Sequence, residues 1–210
     1  MSNSEQRYNK VRAVIVSMLG VTVGINMLFI QSASTAMAGN ASMRMQTSLA
    51  SYVGQPETDA AISAIFEIIK PRGVPPVYGT VLGVSYDDPV AAMDIMRQYD
   101  PNQDPSILEA NALARYIRIG LMISCEYCCS ADTVVFDNGV SACGCAHAKA
   151  MRGLTRYLLE AFPSMTDDQI LEEWVKWKTL FFPSDASSKA LELTQTGTFN
   201  SATFLINNAS

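Results

Sequence analysis

Cys125-Glu126-Tyr127-Cys128-Cys129, a spacer, then Cys143-Gly144-Cys145-Ala146-His147: the reading of this stretch decides how the whole chain is understood. All five cysteines of the 210-residue chain and its only histidine lie inside it. Zinc and copper(I) select thiolate and imidazole ligands, so these groups, close together in sequence, point to a metal or thiol site. The spacer is equally informative. Thr133-Val134-Val135-Phe136 has the β-branched and aromatic character of a strand. Asp137-Asn138-Gly139 follows as a turn in which Asn-Gly supplies the positive φ angles of a tight hairpin. Val140-Ser141-Ala142 returns as a second strand and brings Cys143 back towards Cys128. From Ala146 the chain reads as a helix, with Met151, Leu154, Tyr157, Leu158 and Phe162 at helical spacing.

Working outward, helix signals recur on both sides. Asp104-Pro105 is an N-cap followed by proline at the first helical position, and predicts a helix through Tyr116 to about Ser124. Ile107, Leu108, Leu113, Ile117 and Leu121 would be its buried stripe, delivering Cys125 at its end. Asp88-Pro89 repeats the signature for a helix reaching Tyr99, and Thr58 caps one running to Lys70, stopped by Pro71. Residues 71–88, rich in proline and glycine, form an irregular loop whose apolar members (Val77, Tyr78, Val81, Leu82, Val84) pack it down. Asp87, Asp88 and Asp94 read as cap and dipole partners rather than a carboxylate site. On the C-terminal side, Thr166 and Gln169 form a capping box, with Met165 and Ile170 as a hydrophobic staple. The helix that follows carries Ile170, Trp174, Trp177 and Phe181, with the tryptophans as core, and ends at Pro183. A short helix is expected at Ser188–Leu193.

The N-terminal region sets a second expectation. Arg7, Lys10 and Arg12 precede a run from Ala13 to Ser42 without a charged residue. Ala13 to Ile30 would make about 27 Å of helix, close to the thickness of a bilayer core. With the basic flank first, the N-terminus is expected in the cytoplasm and the remainder outside it, as a single-pass membrane protein. Ala36-Met37-Ala38 offers the competing reading of a cleaved signal peptide. Met37, Met43 and Met45 are thioethers that copper(I) accepts, although methionine is commonly a packing residue.

The expected fold class is therefore mainly α: a small helical domain with one short β-hairpin inside a Cys/His metal-binding knuckle, preceded by an N-terminal transmembrane helix. Residues 1–12 are a cytoplasmic basic N-terminus, 13–36 a transmembrane anchor or signal peptide, 37–56 a tether, 57–183 the helical Cys/His domain and 184–210 a weakly ordered tail. A formal charge of −5 and the absence of a basic run argue against nucleic acid as a partner. The expected partners are the membrane, through the N-terminal helix, and a membrane-bound or exported protein.

Two thiols before a hairpin and further ligands at the opening of a helix resemble a treble-clef zinc knuckle. The departure is Cys143-x-Cys145-x-His147, where treble clefs usually space the second pair as CxxC. More broadly, the span from about Ile65 to Pro183 resembles a group of uncharacterised prokaryotic proteins with an N-terminal membrane segment and a CxxCC…ACGCxH core. The matching stretches are Tyr78-Gly79, Leu82-Gly83-Val84-Ser85-Tyr86-Asp87-Asp88-Pro89, Ile123-Ser124 with the first cysteines, Ala142 to His147 with Ala150-Met151-Arg152-Gly153-Leu154, and Trp177-Lys178 with Phe181-Phe182-Pro183. The resemblance implies a shared architecture and brings no activity with it.

The chemistry of the cluster admits several uses. Cys125, Cys128, Cys129, Cys143, Cys145 and His147 are the candidate metal ligands. A structural Zn2+ would take Cys125 and Cys128 with two of Cys143, Cys145 and His147. A thiolate-bound Cu+ would make use of the surplus ligands. Thiol–disulfide redox chemistry through the Cys125–Cys128 pair is an alternative, though Glu126 places negative charge beside those thiols. Disulfides alone would leave one thiol over. No catalytic residue is assigned, because His147 sits among the ligands and no Cys–His or Ser–His pair remains for nucleophilic catalysis.

Overall fold

Residues 44, 47–54, 56–102, 104–125 and 131–195 are described in a computed structural model of the chain. The chain divides into two units, Met1–Met45 and Gln46–Ser210, and all the helices named below belong to the second.

Local caps place most helices where their side chains predict. The Thr58 hydroxyl accepts from Ala61 N at 3.2 Å and opens α1, Asp59–Ile69. The 71–88 loop is packed down as expected: Tyr78, Leu82, Val84 and Tyr86 are buried, and a single turn, α2 (Gly79–Leu82), lies within it. Asp88 caps α3, Pro89–Met96, which tightens into a 3-10 turn over Arg97–Tyr99. Further on come α5, Ala146–Ala161, and α6, Asp167–Phe181, the latter opened by the Thr166–Gln169 capping box with both reciprocal bonds made.

The helix expected to start at Asp104 is broken instead. Asp104 caps only a 3-10 turn, Pro105–Ile107, after which Leu108 is extended (φ −83°, ψ 141°) and α4 runs Ala110–Leu121. The extended residue turns Leu108 into the core and leaves Ile107 48% exposed. The buried face of α4 is accordingly Tyr116, Ile119 and Gly120, not the stripe through Leu113, Ile117 and Leu121.

The segment after Phe182 also departs from expectation. Helix α7 spans Pro183–Gln195, longer than the short helix expected at Ser188–Leu193, and buries Ala186, Ser187, Ala190, Leu191, Leu193 and Thr194. It packs on α1 and α6, and Ser188 donates to Glu57 at 2.8 Å. Burial of one face stabilises what intrinsic propensity leaves marginal.

Helix α5 is the centre of the fold. It packs against α3 with its 3-10 extension, against α4 and against α6. Gly153 permits the closest of these approaches, since a Cβ there would lie 2.0 Å from the Met96 carbonyl oxygen. Gly120 does the same for α4, where a Cβ would meet Val135 Cγ2 at 2.6 Å.

Among the described residues there is no β-strand, so the fold is mainly helical as expected but the β-hairpin is reduced to one antiparallel bridge, Val135–Ser141. A longer ladder has no free edge to grow along, because Val134 N is already bonded to Gly120 O and Ile123 O at the end of α4.

The membrane placement is corrected. Among the described residues no helix is long and apolar enough to cross a membrane. The longest, α5, has 16 residues and carries Lys149, Arg152 and Arg156, whereas a span needs about 20 apolar residues. Anchoring through an N-terminal helix, and with it the single-pass placement with a cytoplasmic N-terminus and an extracytoplasmic domain, has no support in the structure. The segment 13–36 lies outside the described residues, as do Met37, Met43 and Met45.

Candidate metal centre

Three sulfurs are brought together by three different pieces of local structure. The first follows α4. Met122 ends that helix, and the buried run Ile123-Ser124-Cys125 carries the chain inward, leaving Cys125 1% exposed. The second comes from the return of the hairpin. Phe136 N donates to Val140 O at 2.8 Å, Gly139 N to Phe136 O at 2.8 Å and Ala142 N to Val134 O at 3.2 Å, which returns buried Cys143 to the base of the turn. Only Gly139 has positive φ (80°), with Asn138 accepting from Val140 N through Oδ1. The loop is thus a three-residue turn closed by a left-handed glycine, not the two-residue turn that needs positive φ at both Asn and Gly. The third piece is the start of α5, where Cys145 is the N-cap and its Sγ accepts from Ala148 N at 3.3 Å.

The Sγ atoms of Cys125, Cys143 and Cys145 all lie within 4.8 Å of one another. Cys125 and Cys145 face each other thiol to thiol at 3.7 Å, too far for an S–S bond. Cys145 is the least buried of the three and gives the cluster its access to solvent. Three cysteines this close can bind a metal ion, with the identity of the metal left open by the donors alone.

Cys143 is disulfide-bonded. A disulfide sulfur is not a thiolate, and metal ligation needs the thiolate. Proximity and bonding therefore describe two chemical states of one place. The three-sulfur donor set exists only when Cys143 is reduced.

The remaining candidates are placed differently. Cys128 and Cys129 lie outside the described residues. His147, on the first turn of α5, is not gathered with the three sulfurs. Its ring packs on Phe182 (4.6 Å between centroids) and Phe181 (5.3 Å) at the end of α6. Its Nδ1 is buried with no hydrogen-bond partner among the described residues.

Two buried polar groups escaped the sequence reading, and the first of them touches this site through the Cys143 carbonyl. Arg152, on α5, is 1% exposed and holds the Asp100 carboxylate through Nε (2.9 Å) and Nη2 (2.7 Å). Its third nitrogen, Nη1, donates to Cys143 O at 2.8 Å and Val134 O at 3.2 Å. The signal was an arginine set between Met151 and Gly153 on the buried side of a helix. Glu173, on α6, accepts from Tyr78 (2.8 Å) and Tyr86 and pairs with Lys176 at 2.7 Å. Trp177 Nε1 completes this network by donating to Tyr78 at 2.7 Å. Burial, reinforced by the Glu173 charge, pushes both phenols well above their ordinary range, so they stay protonated as donors. The helical spacing of Glu173 with Trp177 was the available clue. The aspartates weighed as a carboxylate site are local: Asp87 accepts from Gly73 N, and Asp94 pairs with Arg97.

No protein-family model, curated protein or solved structure matches the chain.

Proposed function

We propose that this is a thiolate metal-binding protein in which Cys125, Cys143 and Cys145 hold one soft or borderline ion, zinc or copper(I), once Cys143 is reduced. The observation that carries the reading is the meeting of the three sulfurs within 4.8 Å, drawn from a helix end, a hairpin and a helix start. Sulfur donors favour these two ions over calcium or magnesium. A tetrahedral zinc would take one further ligand, for which Cys128 and Cys129 are the sulfur candidates in the sequence. No catalytic step is assigned to the site.

A second reading, thiol–disulfide exchange, is supported by the disulfide at Cys143 beside the Cys125–Cys145 contact. In that reading the reactive pair is Cys125 with Cys145 rather than the CxxC pair.

The test is elemental analysis of the full chain purified anaerobically under a thiol-free phosphine reductant, alongside a count of alkylatable thiols. One zinc or copper per chain, with thiols protected from alkylation until a chelator is added, is the expected result. No retained metal after loading with either ion would overturn the metal reading and leave the exchange reading standing.

A further inference from the structure

We propose that Arg152 is a positioning residue for the thiol cluster, setting the backbone of Cys143 and thereby the place of its sulfur among Cys125 and Cys145. This rests on the metal-binding reading above and deepens it, since it names the group that orients one ligand from outside the donor set.

The guanidinium is used at both ends. One edge, Nε and Nη2, grips Asp100 in a two-point pair, and the other, Nη1, reaches Cys143 O and Val134 O. Those two carbonyls belong to the opposite arms of the hairpin, beside the Ala142 N to Val134 O bond. Arg152 therefore clamps the open end of the hairpin, where the arm carrying Cys143 leaves towards Cys145. The clamp is anchored on the far side too. Asp100 N bonds Arg97 O at the end of the 3-10 turn, and Asp100 Oδ1 accepts from Asn102 N at 3.1 Å. Gly153, by letting α5 approach Met96 and Asp100 N, brings the arginine within reach of this anchor.

Stability alone does not call for such a device. Taking two charges out of water carries a desolvation penalty that their mutual attraction often fails to repay, and a well-packed apolar pair of similar volume is often as stable or more so. An apolar pair could not bond two carbonyls. A lysine could keep the charge beside Asp100, but its single ammonium lacks the planar fork needed to hold a carboxylate and two carbonyls in fixed directions. Groups that orient ligands in this way commonly change metal affinity by about 10- to 100-fold.

The experiment uses the full, reduced chain with cobalt(II) as the probe, followed by its thiolate-to-metal charge-transfer band and by chelator competition. Arg152→Lys keeps a charge for Asp100. The double variant Asp100→Leu/Arg152→Met removes both charges and leaves no buried ion behind. Each is also oxidised and titrated with dithiothreitol to find the reduction midpoint of the Cys143 disulfide. Both variants are expected to retain helical circular dichroism and a cooperative melt. Both should lose about tenfold or more in cobalt affinity, with an altered charge-transfer band and a shifted midpoint. A folded variant with wild-type affinity and wild-type midpoint would overturn the proposal. So would loss of folding in both, which would make Arg152 a fold determinant and nothing more. If the wild-type chain takes up no cobalt while the midpoint still moves in the variants, the metal reading fails and the positioning role stands.

Discussion

The Asp100–Arg152 pair and the Glu173 network are both buried, both polar and both fasten an irregular segment to a helix, yet they end differently. Glu173 ties the 71–88 loop to α6 through two phenols and a tryptophan, and the network closes on its own members with Lys176 and Glu172 of the same helix. Arg152 ties the 3-10 turn to α5 and still has one nitrogen to spend on the carbonyls of Cys143 and Val134. A polar network that closes on itself holds the fold. One that reaches the backbone of a sulfur ligand holds the fold and also orients the site.

The sharpest way to break this comparison is to unbalance the ion pair. Asp100→Ala leaves Arg152 buried without its carboxylate and is expected to cost about 3–5 kcal/mol by urea denaturation. Metal uptake should fall with it. A loss near zero would mean that water reaches the guanidinium and that the clamp is not buried in solution.

Gly153→Ala tests the same side of the molecule through packing. The added methyl would lie 2.0 Å from Met96 O, which is backbone and cannot swing away. Overpacking of this kind should cost about 3 kcal/mol. A melting temperature equal to wild type would show that α3 and α5 separate without penalty.

Glu173→Leu addresses the other region. It leaves the Tyr78 and Tyr86 hydroxyls without their acceptor and should cost about 2 kcal/mol. Here metal content per folded chain is expected to match wild type, and a clear fall in it would erase the distinction between the two networks.

The smallest effect belongs to the surface. Burial raises the Asp167 pKa, but hydrogen bonds from Arg115 and Arg118 outweigh it and hold the carboxyl below its ordinary value. A lowered folded-state pKa contributes stability that is present above the unfolded value and is lost as pH falls through the folded one. Asp167→Asn should therefore cost about 1 kcal/mol at neutral pH and flatten the decline in stability below about pH 4. An unchanged acid limb in the pH–stability curve would remove Asp167 from the account.

The parts of the fold that were legible in the sequence are those fixed by bonds across three residues. Thr58 to Ala61, Asp88 to Ala91 and Thr166 with Gln169 each need only a short side chain and the next turn of backbone, so their residue types announce them. The Asp104-Pro105 signal was equally local, and it did open a turn. What it could not reveal was that Leu108 would be drawn into the core and the helix restarted at Ala110, because a cap signal says where a helix can open and not which side chains the packed fold will bury.

The site divides in the same way. By itself the sequence determined that the chain carries a thiol-rich centre interrupted by a turn, since cysteine, β-branched residues and Asn-Gly declare themselves by type and order. Only the tertiary structure decided which groups meet. Cys125 and Cys145 are brought to 3.7 Å by the end of one helix and the start of another. His147 is turned onto Phe181 and Phe182 by the packing of α6 on α5. Arg152 reaches Asp100 across 52 positions of chain, and Tyr86 reaches Glu173 across 87. Residue type fixes what a side chain can bond, but the partner it finds depends on how the helices pack, and no local pattern encodes contacts made over such separations.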